Sequence, residues 1–358
     1  MCARMLANTC PVSRQNLFEL LPDPLLLCIF NRVHDVKALG RCSAVCKRFN
    51  TLIPQVEDIV VKVDCMISAD ESNLSMRGSG LLPQLYRVLV GSLVKSLHAL
   101  QHLLAPKRPI FADVSHHSPG EVLKNFNHVR RLRIELPGGE LGVEDGFVLK
   151  WRAEFGSSLE NCVILAASSL TRAETEKLGR TPGSDISSLA NVLSGNESQD
   201  NGSNIPEAFF TNGGLKLRVV WTISSLIAAS ARHYLLQQII SDHPALESLV
   251  LADADGQGTL CMNKEQLLDF KINPIAASAS TNRTQVPALN IKLWYAPVLD
   301  HKDGFTMKGA TLIAIRPSDL LVKEDLENLL MNAFDEPFCN AAGLLARRRT
   351  YLLEMNSF

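Results

Sequence analysis

Residues 16–53 place three sets of apolar residues at helical spacing in one short stretch of the chain. The sets are Leu25, Leu26, Ile29 and Phe30, then Val36, Leu39 and Cys42, then Val45, Cys46, Phe49 and Leu52. Asp23 can cap a helix that has Pro24 in its first turn, and Asp35 offers a second cap. Three helices of about ten residues each cannot bury this much apolar surface by themselves. The excess predicts that the segment packs against a partner.

The order of these residues resembles an F-box, the module that binds Skp1 and joins a substrate-recognition subunit to a cullin–RING ubiquitin ligase. The resemblance rests on Leu21-Pro22, Leu25-x-x-x-Ile29, Val45-Cys46-Lys47-Arg48-Phe49 and Leu52. Phe49 stands where many F-boxes carry Trp, so an aromatic residue is kept. The resemblance implies that the residues contacting Skp1, or directly supporting that contact, are Leu21, Pro22, Leu25, Leu26, Ile29, Val45, Cys46 and Phe49. The alternative is an ordinary helical cap on a globular domain.

Composition excludes several function classes. The 36 Lys and Arg residues balance 37 Asp and Glu residues, so no global field favours nucleic acid or an anionic membrane. The nine cysteines are scattered and form no CxxC pair, so neither a disulfide framework nor a structural zinc site is expected. No cofactor is expected. The first ten residues lack an export signal, and the longest apolar run is too short to span a bilayer, so we expect residence in the nucleus, the cytoplasm or both.

The remainder, residues 55–358, is predicted to be a mixed α/β domain that recruits a substrate. Five segments resemble the strand part of a leucine-rich repeat: Val56-Ile59-Val61, Val129-Leu132-Ile134, Leu159-Cys162-Ile164, Leu246-Leu249-Leu251 and Val286-Leu289-Ile291. Helices are predicted between several of them, at 82–104 and 226–240. Their irregular spacing leaves two interpretations open, an irregular leucine-rich-repeat-like domain or an α/β domain with a mostly parallel sheet.

Composition also predicts where the domain is interrupted and how it ends. Residues 1–15 are expected to be a flexible N-terminus before an F-box at 16–54, and the polar stretch 171–207 is expected to be a disordered insert. Asp300-His301-Lys302-Asp303-Gly304 lies between two apolar runs and predicts a hairpin. A helix from about 323 to 334 and a last helix through Arg347, Arg348 and Arg349 are predicted to follow.

The arrangement of the whole chain resembles a small plant group, the auxin up-regulated F-box proteins. The resemblance is carried by WRAEFGSSLENCVILAASS and by LWYAPVLD followed by DGFTMKGATLIAIRPS, and it extends over most of the chain. It implies hormone-linked protein turnover but no particular substrate. The link to auxin concerns regulation of the gene, and no residue pattern specifies a hormone pocket.

The motifs of catalysis are missing from the sequence. No G-x-S-x-G elbow, HExxH pair or Walker A loop occurs. The stretch from Asp253 begins like a calcium loop but places Lys264 where a bidentate carboxylate is required, so we interpret it as a polar turn after a buried strand. The chain is therefore predicted to be a non-catalytic subunit, with an α/β hydrolase or ligand-binding protein carrying a helical cap as the alternative.

Two arginine clusters are candidate contacts. Arg130, Arg131 and Arg133 alternate with residues predicted to face the core, so they could meet an acidic segment of an unidentified protein substrate. The alternative is a solvated edge strand protected by its charges. Arg347, Arg348 and Arg349 could form a nuclear import patch, or could simply face solvent at the negative end of a helix dipole.

Overall fold

A computed structural model describes residues 17–63, 123–138, 147–172, 209, 214–273, 283–301, 304–318 and 326–356. The helices are α1 (Leu17–Leu20), α2 (Asp23–Val33), α3 (Val36–Ser43), α4 (Lys47–Leu52), α5 (Gly214–Asp242), α6 (Lys264–Ile272), α7 (Leu326–Met331) and α8 (Phe338–Ala346). The strands are β1 (Asp58–Lys62), β2 (Arg131–Leu136), β3 (Val148–Phe155), β4 (Leu159–Ala167), β5 (Ser169–Arg172), β6 (Ser248–Asp253), β7 (Gly258–Met262), β8 (Leu289–Asp300), β9 (Phe305–Pro317) and β10 (Thr350–Met355). The predicted arrangement of N-terminal helices followed by a mixed α/β domain is confirmed.

The described strands form one mixed sheet in the order β1-β2-β6-β7-β3-β4-β9-β8-β10, with β5 paired to β9. Three of the nine strand pairs are parallel and six are antiparallel. The mostly parallel sheet of the second interpretation is therefore wrong. Two parallel pairs lie at the β1 end and the third joins β7 to β3, and in each case the connection along the chain is long enough for a crossover. Hairpins dominate the other end of the sheet.

Three of the five repeat-like segments stack as the pattern requires. In β1, β2 and β6, Ile59 lies opposite Leu132, which lies opposite Leu249, and all three are buried. The last residues of the three segments, Val61, Ile134 and Leu251, lie opposite one another in the same way. The other two segments lie in β4 and β8, which run antiparallel to their neighbours in the same sheet. The aliphatic pattern thus marked buried strands in both settings.

The long helix α5 packs across β3, β4 and β7 on one side of the sheet. It contains the predicted helix 226–240 and begins earlier, at Gly214. On the same side, His233 is buried between Phe155 and Phe270. Its Nε2–H donates to the Gly156 carbonyl oxygen at 3.0 Å, and its Nδ1 lies 2.8 Å from the Thr284 hydroxyl, which donates to it. This ring ties the helix to two separate segments.

The helices α7 and α8 cover part of the opposite side of the sheet. Between them and the strands lies a second apolar core around Trp294, Leu312 and Leu345. The helix predicted from about 323 to 334 corresponds to α7, which ends earlier, at Met331, while residues 319–325 lie outside the described part. The last helix ends at Ala346 rather than passing through the three arginines, and a strand, β10, follows them.

The N-terminal helices share one buried core with the sheet. Their core residues Leu26, Phe30 and Leu39 belong to the same buried cluster as Ile59 of β1. The Asn31 side-chain oxygen accepts the backbone N–H groups of Glu57 at 2.8 Å and Asp58 at 3.3 Å. The Val60 N–H donates to the His34 carbonyl oxygen at 2.7 Å. These bonds fix how the helices sit on the edge of the sheet.

Other sequence predictions have mixed outcomes. The hairpin around Asp300–Gly304 is confirmed by the pairing of β8 with β9 up to Asp300 and Thr306. Residues 171 and 172, assigned to the disordered insert, instead pair with β9 as the end of β5. The remainder of that insert, the N-terminal segment 1–15 and the helix predicted at 82–104 lie outside the described residues.

Candidate partner-binding surface of the N-terminal helices

The N-terminal helices expose a concentration of apolar side chains. Leu25, Ile29 and Val33 recur every fourth residue on α2, and together they form an exposed stripe along one face of the helix. Leu25 is 52% exposed, and Val45 is 69% exposed. The exposed large apolar residues of this region are Leu17, Phe18, Leu20, Leu25, Ile29, Val33 and Val45. Exposed apolar residues are ordinary when single, but a group of this size marks an interaction surface.

The opposite face of α2 supports the surface from within. Leu26 is 0% exposed and Phe30 is 4% exposed, and both pack in the shared core. Leu26 was predicted either to contact Skp1 or to support that contact directly, and its burial assigns it a supporting role, because a side chain without exposed surface does not touch a partner. Its contribution is to hold the Leu25 and Ile29 face in place. Pro22 is exposed and forms the N-cap of α2, and Leu21 is half-buried.

Phe49 links the helices through aromatic contacts. Its ring meets Phe30 edge-on at 5.0 Å between centroids and Phe18 edge-on at 5.9 Å. This packing connects α1, α2 and α4, and it leaves Phe49 half-buried. Phe49 therefore makes the packing contacts expected of an aromatic residue at this position.

The cysteines of this region occupy different helices. Cys42 lies near the end of α3, while Cys46 is the N-cap of α4, with the Phe49 N–H 3.5 Å from its sulfur. The chain turns at Ala44 and Val45 between them, in agreement with their predicted places in the second and third apolar sets. Cys46 is exposed beside Val45, so both remain available to a partner.

Arg48 is a supporting residue that sequence reasoning missed. Its Nη1 donates to the Phe18 carbonyl oxygen at 3.0 Å and its Nη2 to the Leu21 carbonyl oxygen. The same guanidinium binds the Asp23 carboxylate, with Nε 2.8 Å and Nη2 2.6 Å from Oδ1. Asp23, predicted to be a cap, is instead the first residue of α2 and makes no cap bond of its own. A one-turn helix leaves carbonyl groups without partners, and Arg48 supplies the donors.

The three arginines proposed for substrate contact lie on and beside β2. Arg131 Nε is 3.0 Å from Asp58 Oδ2, and Arg133 Nε is 3.0 Å from Glu135 Oε1. Arg130 lies 3.5 Å from both Glu57 and Glu247. The side chains of all three arginines are about half exposed, and they lie outside the core between α5 and the sheet. The edge-strand alternative is wrong, since β2 is paired on both sides.

A polar cleft lies on the same side of the sheet, where β3 and β4 meet α7. It encloses about 290 Å³ and is lined mainly by polar side chains. Its polar lining includes Arg152, Glu154, Asn161, Arg316 and Asn332. Arg152 Nη1 donates to the Asn332 carbonyl oxygen at 3.3 Å, and Asn161 Nδ2 donates to Glu154 at 3.2 Å. Together with Arg131 and Arg133, this cleft gives the part of the sheet that no described helix covers a polar, mixed-charge surface.

The segment after Asp253 forms the predicted polar turn. Gly256 has a φ of +64°, which favours glycine, and Asp255 accepts the Gln257 N–H at 3.0 Å. Asp253 itself binds the buried guanidinium of Arg232 at 2.8 Å. Among the residues that the structure describes, no group of three His, Cys, Asp or Glu side chains could hold a metal ion. Nor is any helix of the described part long and apolar enough to cross a membrane.

Comparison with known proteins agrees with the resemblance. The F-box-like family model matches residues 18–56. F-box protein At5g46170 of Arabidopsis thaliana is 52% identical over 95% of this chain and 93% of its own length. F-box protein AUF1 and F-box protein AUF2 of the same plant are 34% and 35% identical, over 95% and 96% of this chain.

No solved structure matches the chain. The sequence relatives nevertheless cover nearly the whole length, including the α/β domain as well as the helices. This chain belongs to the F-box proteins, in a group of plant members that includes the auxin up-regulated F-box proteins.

Proposed function

We propose that this protein is the non-catalytic substrate-recognition subunit of an SCF-type E3 ubiquitin ligase, and that it binds a Skp1-like adaptor through the N-terminal helices. The observation that carries the proposal is the apolar stripe Leu25, Ile29 and Val33, exposed on a helix whose other face is buried. Burying such side chains is worth about 1.5–3 kcal/mol each, so the stripe favours a protein partner. Through Skp1 the chain would join the cullin and RING subunits.

The α/β domain is proposed to hold the substrate. Its surface with Arg131, Arg133 and the polar cleft offers mixed charge to a protein segment, and Arg130 extends that surface toward the F-box. The bonds from Asn31 and His34 to β1 support a fixed orientation between the Skp1 surface and this domain. A fixed orientation raises the effective concentration of substrate lysines near the ubiquitin-charged enzyme.

The proposed biological setting is inferred from the relatives. We place this protein in auxin-linked protein turnover, because the two AUF relatives align with 95% and 96% of this chain. Residence in the nucleus, the cytoplasm or both is part of the same proposal. Its substrate is a protein that the mixed-charge surface accepts, with no cofactor involved.

The proposal is tested by capture of purified Skp1 on the immobilised full chain. Full-length protein is required because the F-box shares its core with β1. Wild type should capture Skp1, and Leu25→Lys with Ile29→Lys should reduce capture at least tenfold, since two charges would enter an apolar interface. Leu268→Lys is the matched control, because Leu268 is 57% exposed on α6. Unchanged capture by the folded double variant would reject the proposal.

A further inference from the structure

The connection from α8 to β10 consists of three arginines, Arg347, Arg348 and Arg349. All three are exposed, and so is Thr350, which follows them and begins β10. The side chains of Arg347 and Arg348 form no ion pair with any residue that the structure describes. Three positive charges therefore lie directly before an exposed hydroxyl group, in a chain whose net charge is −1.

The strand that Thr350 begins is loosely held. None of the six residues of β10 is buried, and among the described strands it pairs with β8 alone. The connection before it is fixed at Leu345, whose carbonyl oxygen accepts the Arg348 N–H at 2.9 Å. Segments with few buried contacts open locally at a low cost in free energy. Residues 347–350 can therefore separate from the sheet and enter the cleft of a modifying enzyme.

We propose that Thr350 is a phosphorylation site for a Ser/Thr kinase that selects arginines directly before the target hydroxyl group. Kinases choose substrates in part by charge pattern, so an acidic kinase groove accepts this segment. Thr350 Oγ1 attacks the γ-phosphorus of ATP, and the bond from that phosphorus to the β,γ-bridging oxygen breaks. ADP leaves, and the hydroxyl proton passes to the base of the kinase.

Thr51 has the same arginine spacing and is the internal contrast. Arg48 precedes Thr51 by three residues, as Arg347 precedes Thr350. The Arg48 guanidinium is bound to the Asp23 carboxylate and to backbone carbonyls at the start of the F-box, so a kinase cannot engage it without breaking those bonds. Thr51 also lies within α4, where its hydroxyl donates to the Arg48 carbonyl oxygen at 2.8 Å. We therefore expect the kinase to modify Thr350 and not Thr51.

The phosphate would change the charge of the α8–β10 connection. A phosphothreonine carries a charge of about −1.5 to −2 at pH 7, so the local charge falls from +3 to about +1. Phosphate oxygens accept strong charge-assisted hydrogen bonds from guanidinium groups, and Arg347 and Arg348 are close along the chain. Phosphorylation would thus reduce the attraction of this segment for acidic partners.

The test is phosphorylation of the full chain by a purified arginine-directed Ser/Thr kinase with ATP, followed by site-resolved mass spectrometry. Thr350 should carry phosphate in most molecules, and Thr51 should stay unmodified. Thr350→Val should lose the phosphate at this position. Thr350→Ser should regain it, because serine restores the hydroxyl group.

The role of the arginines is tested with a charge-matched control. Arg347→Gln with Arg348→Gln should slow phosphorylation of Thr350 at least tenfold, because the charge that the kinase selects is reduced. Lys292→Gln with Lys308→Gln removes the same charge from exposed positions on β8 and β9, and it should leave the rate unchanged. Circular dichroism identifies any variant that has lost its fold.

Three outcomes would overturn the proposal: no phosphate on Thr350 of the wild type, modification of Thr51 as fast as that of Thr350, or a rate at Thr350 that is insensitive to loss of the two arginines. The proposed ligase role is independent of all three, because Thr350 and its arginines lie outside the F-box. Failure to capture Skp1 would likewise leave the phosphorylation result standing.

Discussion

The guanidinium of Arg48 lies 2.6 Å from the carboxylate of Asp23 and also binds backbone carbonyls of the segment Phe18–Leu21. One side chain near the end of the F-box thus holds its beginning in place. Asp23 is 56% exposed, and an exposed ion pair stabilises a protein by less than about 1 kcal/mol. The carbonyl bonds are therefore the larger part of what Arg48 contributes.

Replacing Arg48 should affect both folding and binding. Arg48→Ala removes the side-chain donors to the Phe18 and Leu21 carbonyl oxygens, so we expect a loss of about 1.5–3 kcal/mol in the free energy of unfolding and weaker Skp1 binding. Asp23→Ala removes only the ion pair and should cost less than about 1 kcal/mol. Urea unfolding and calorimetric titration with Skp1 measure the two effects. Equal losses from the two variants would contradict the assigned role of the carbonyl bonds.

Neighbouring leucines of α2 should respond in opposite ways. Leu26→Ala opens a cavity in the core and should lower the free energy of unfolding by about 2–5 kcal/mol. Leu25→Ala removes an exposed side chain, so we expect stability to change by less than about 0.5 kcal/mol while Skp1 affinity falls. For each variant, thermal unfolding measures the change in stability, and titration with Skp1 measures the change in affinity. A strongly destabilised Leu25→Ala protein would show that the surface assignment is incorrect.

The bond from Asn31 to the sheet should be visible in amide exchange. Asn31→Ala leaves the N–H groups of Glu57 and Asp58 without their acceptor, at a cost of about 1–3 kcal/mol. Asn31→Asp keeps an acceptor oxygen and is the matched control. Hydrogen–deuterium exchange around Glu57 should be faster in the alanine variant alone. Equal protection in both variants would mean that the contact does not hold the F-box to β1.

Stability should depend on pH through His233. Burial lowers the pKa of this imidazole from 6.5 to about 3, opposed in part by its hydrogen bond to the Gly156 carbonyl. The ring is therefore neutral in the folded protein, and it protonates more readily once unfolded. The stability that the neutral His233 ring contributes is fully present above pH 6.5, and it is lost as the pH falls from 6.5 toward 3.

At about pH 5 we expect His233 to reduce stability by roughly 2 kcal/mol relative to neutral pH. His233→Gln cannot titrate, so it should show a smaller difference between the two pH values. Urea unfolding of both proteins at each pH gives the comparison, and the difference between them removes the effect of the carboxylates. Parallel pH profiles would contradict a buried neutral histidine.

The sequence predicted the elements better than their arrangement. Helical spacing located the F-box, and the aliphatic pattern located five strands, because both report local burial. Strand order escaped prediction, since β3 and β7 lie side by side although about a hundred residues separate them. β10 was missed because Arg347–Arg349 read as the end of a helix, and its pairing with β8 is a long-range contact.

In the candidate site, too, the local pattern was predictable and the three-dimensional arrangement was not. Leu25 and Leu26 are chemically identical neighbours, and only the position of the core relative to α2 makes one exposed and the other buried. The role of Arg48 depends on carbonyl groups some thirty residues earlier in the chain. A one-turn helix just before a proline leaves carbonyl groups without hydrogen-bond donors, and this was the sequence signal that a side chain elsewhere must supply them.

The central claim is that Skp1 covers the apolar stripe of α2, and hydroxyl-radical footprinting of the full chain tests it most directly. Oxidation of Leu25, Ile29 and Val45 should fall sharply when Skp1 is added, while Leu268 and Leu352 stay as reactive as before. Protection of the control residues with no change on α2, or no protection anywhere at saturating Skp1, would contradict the account.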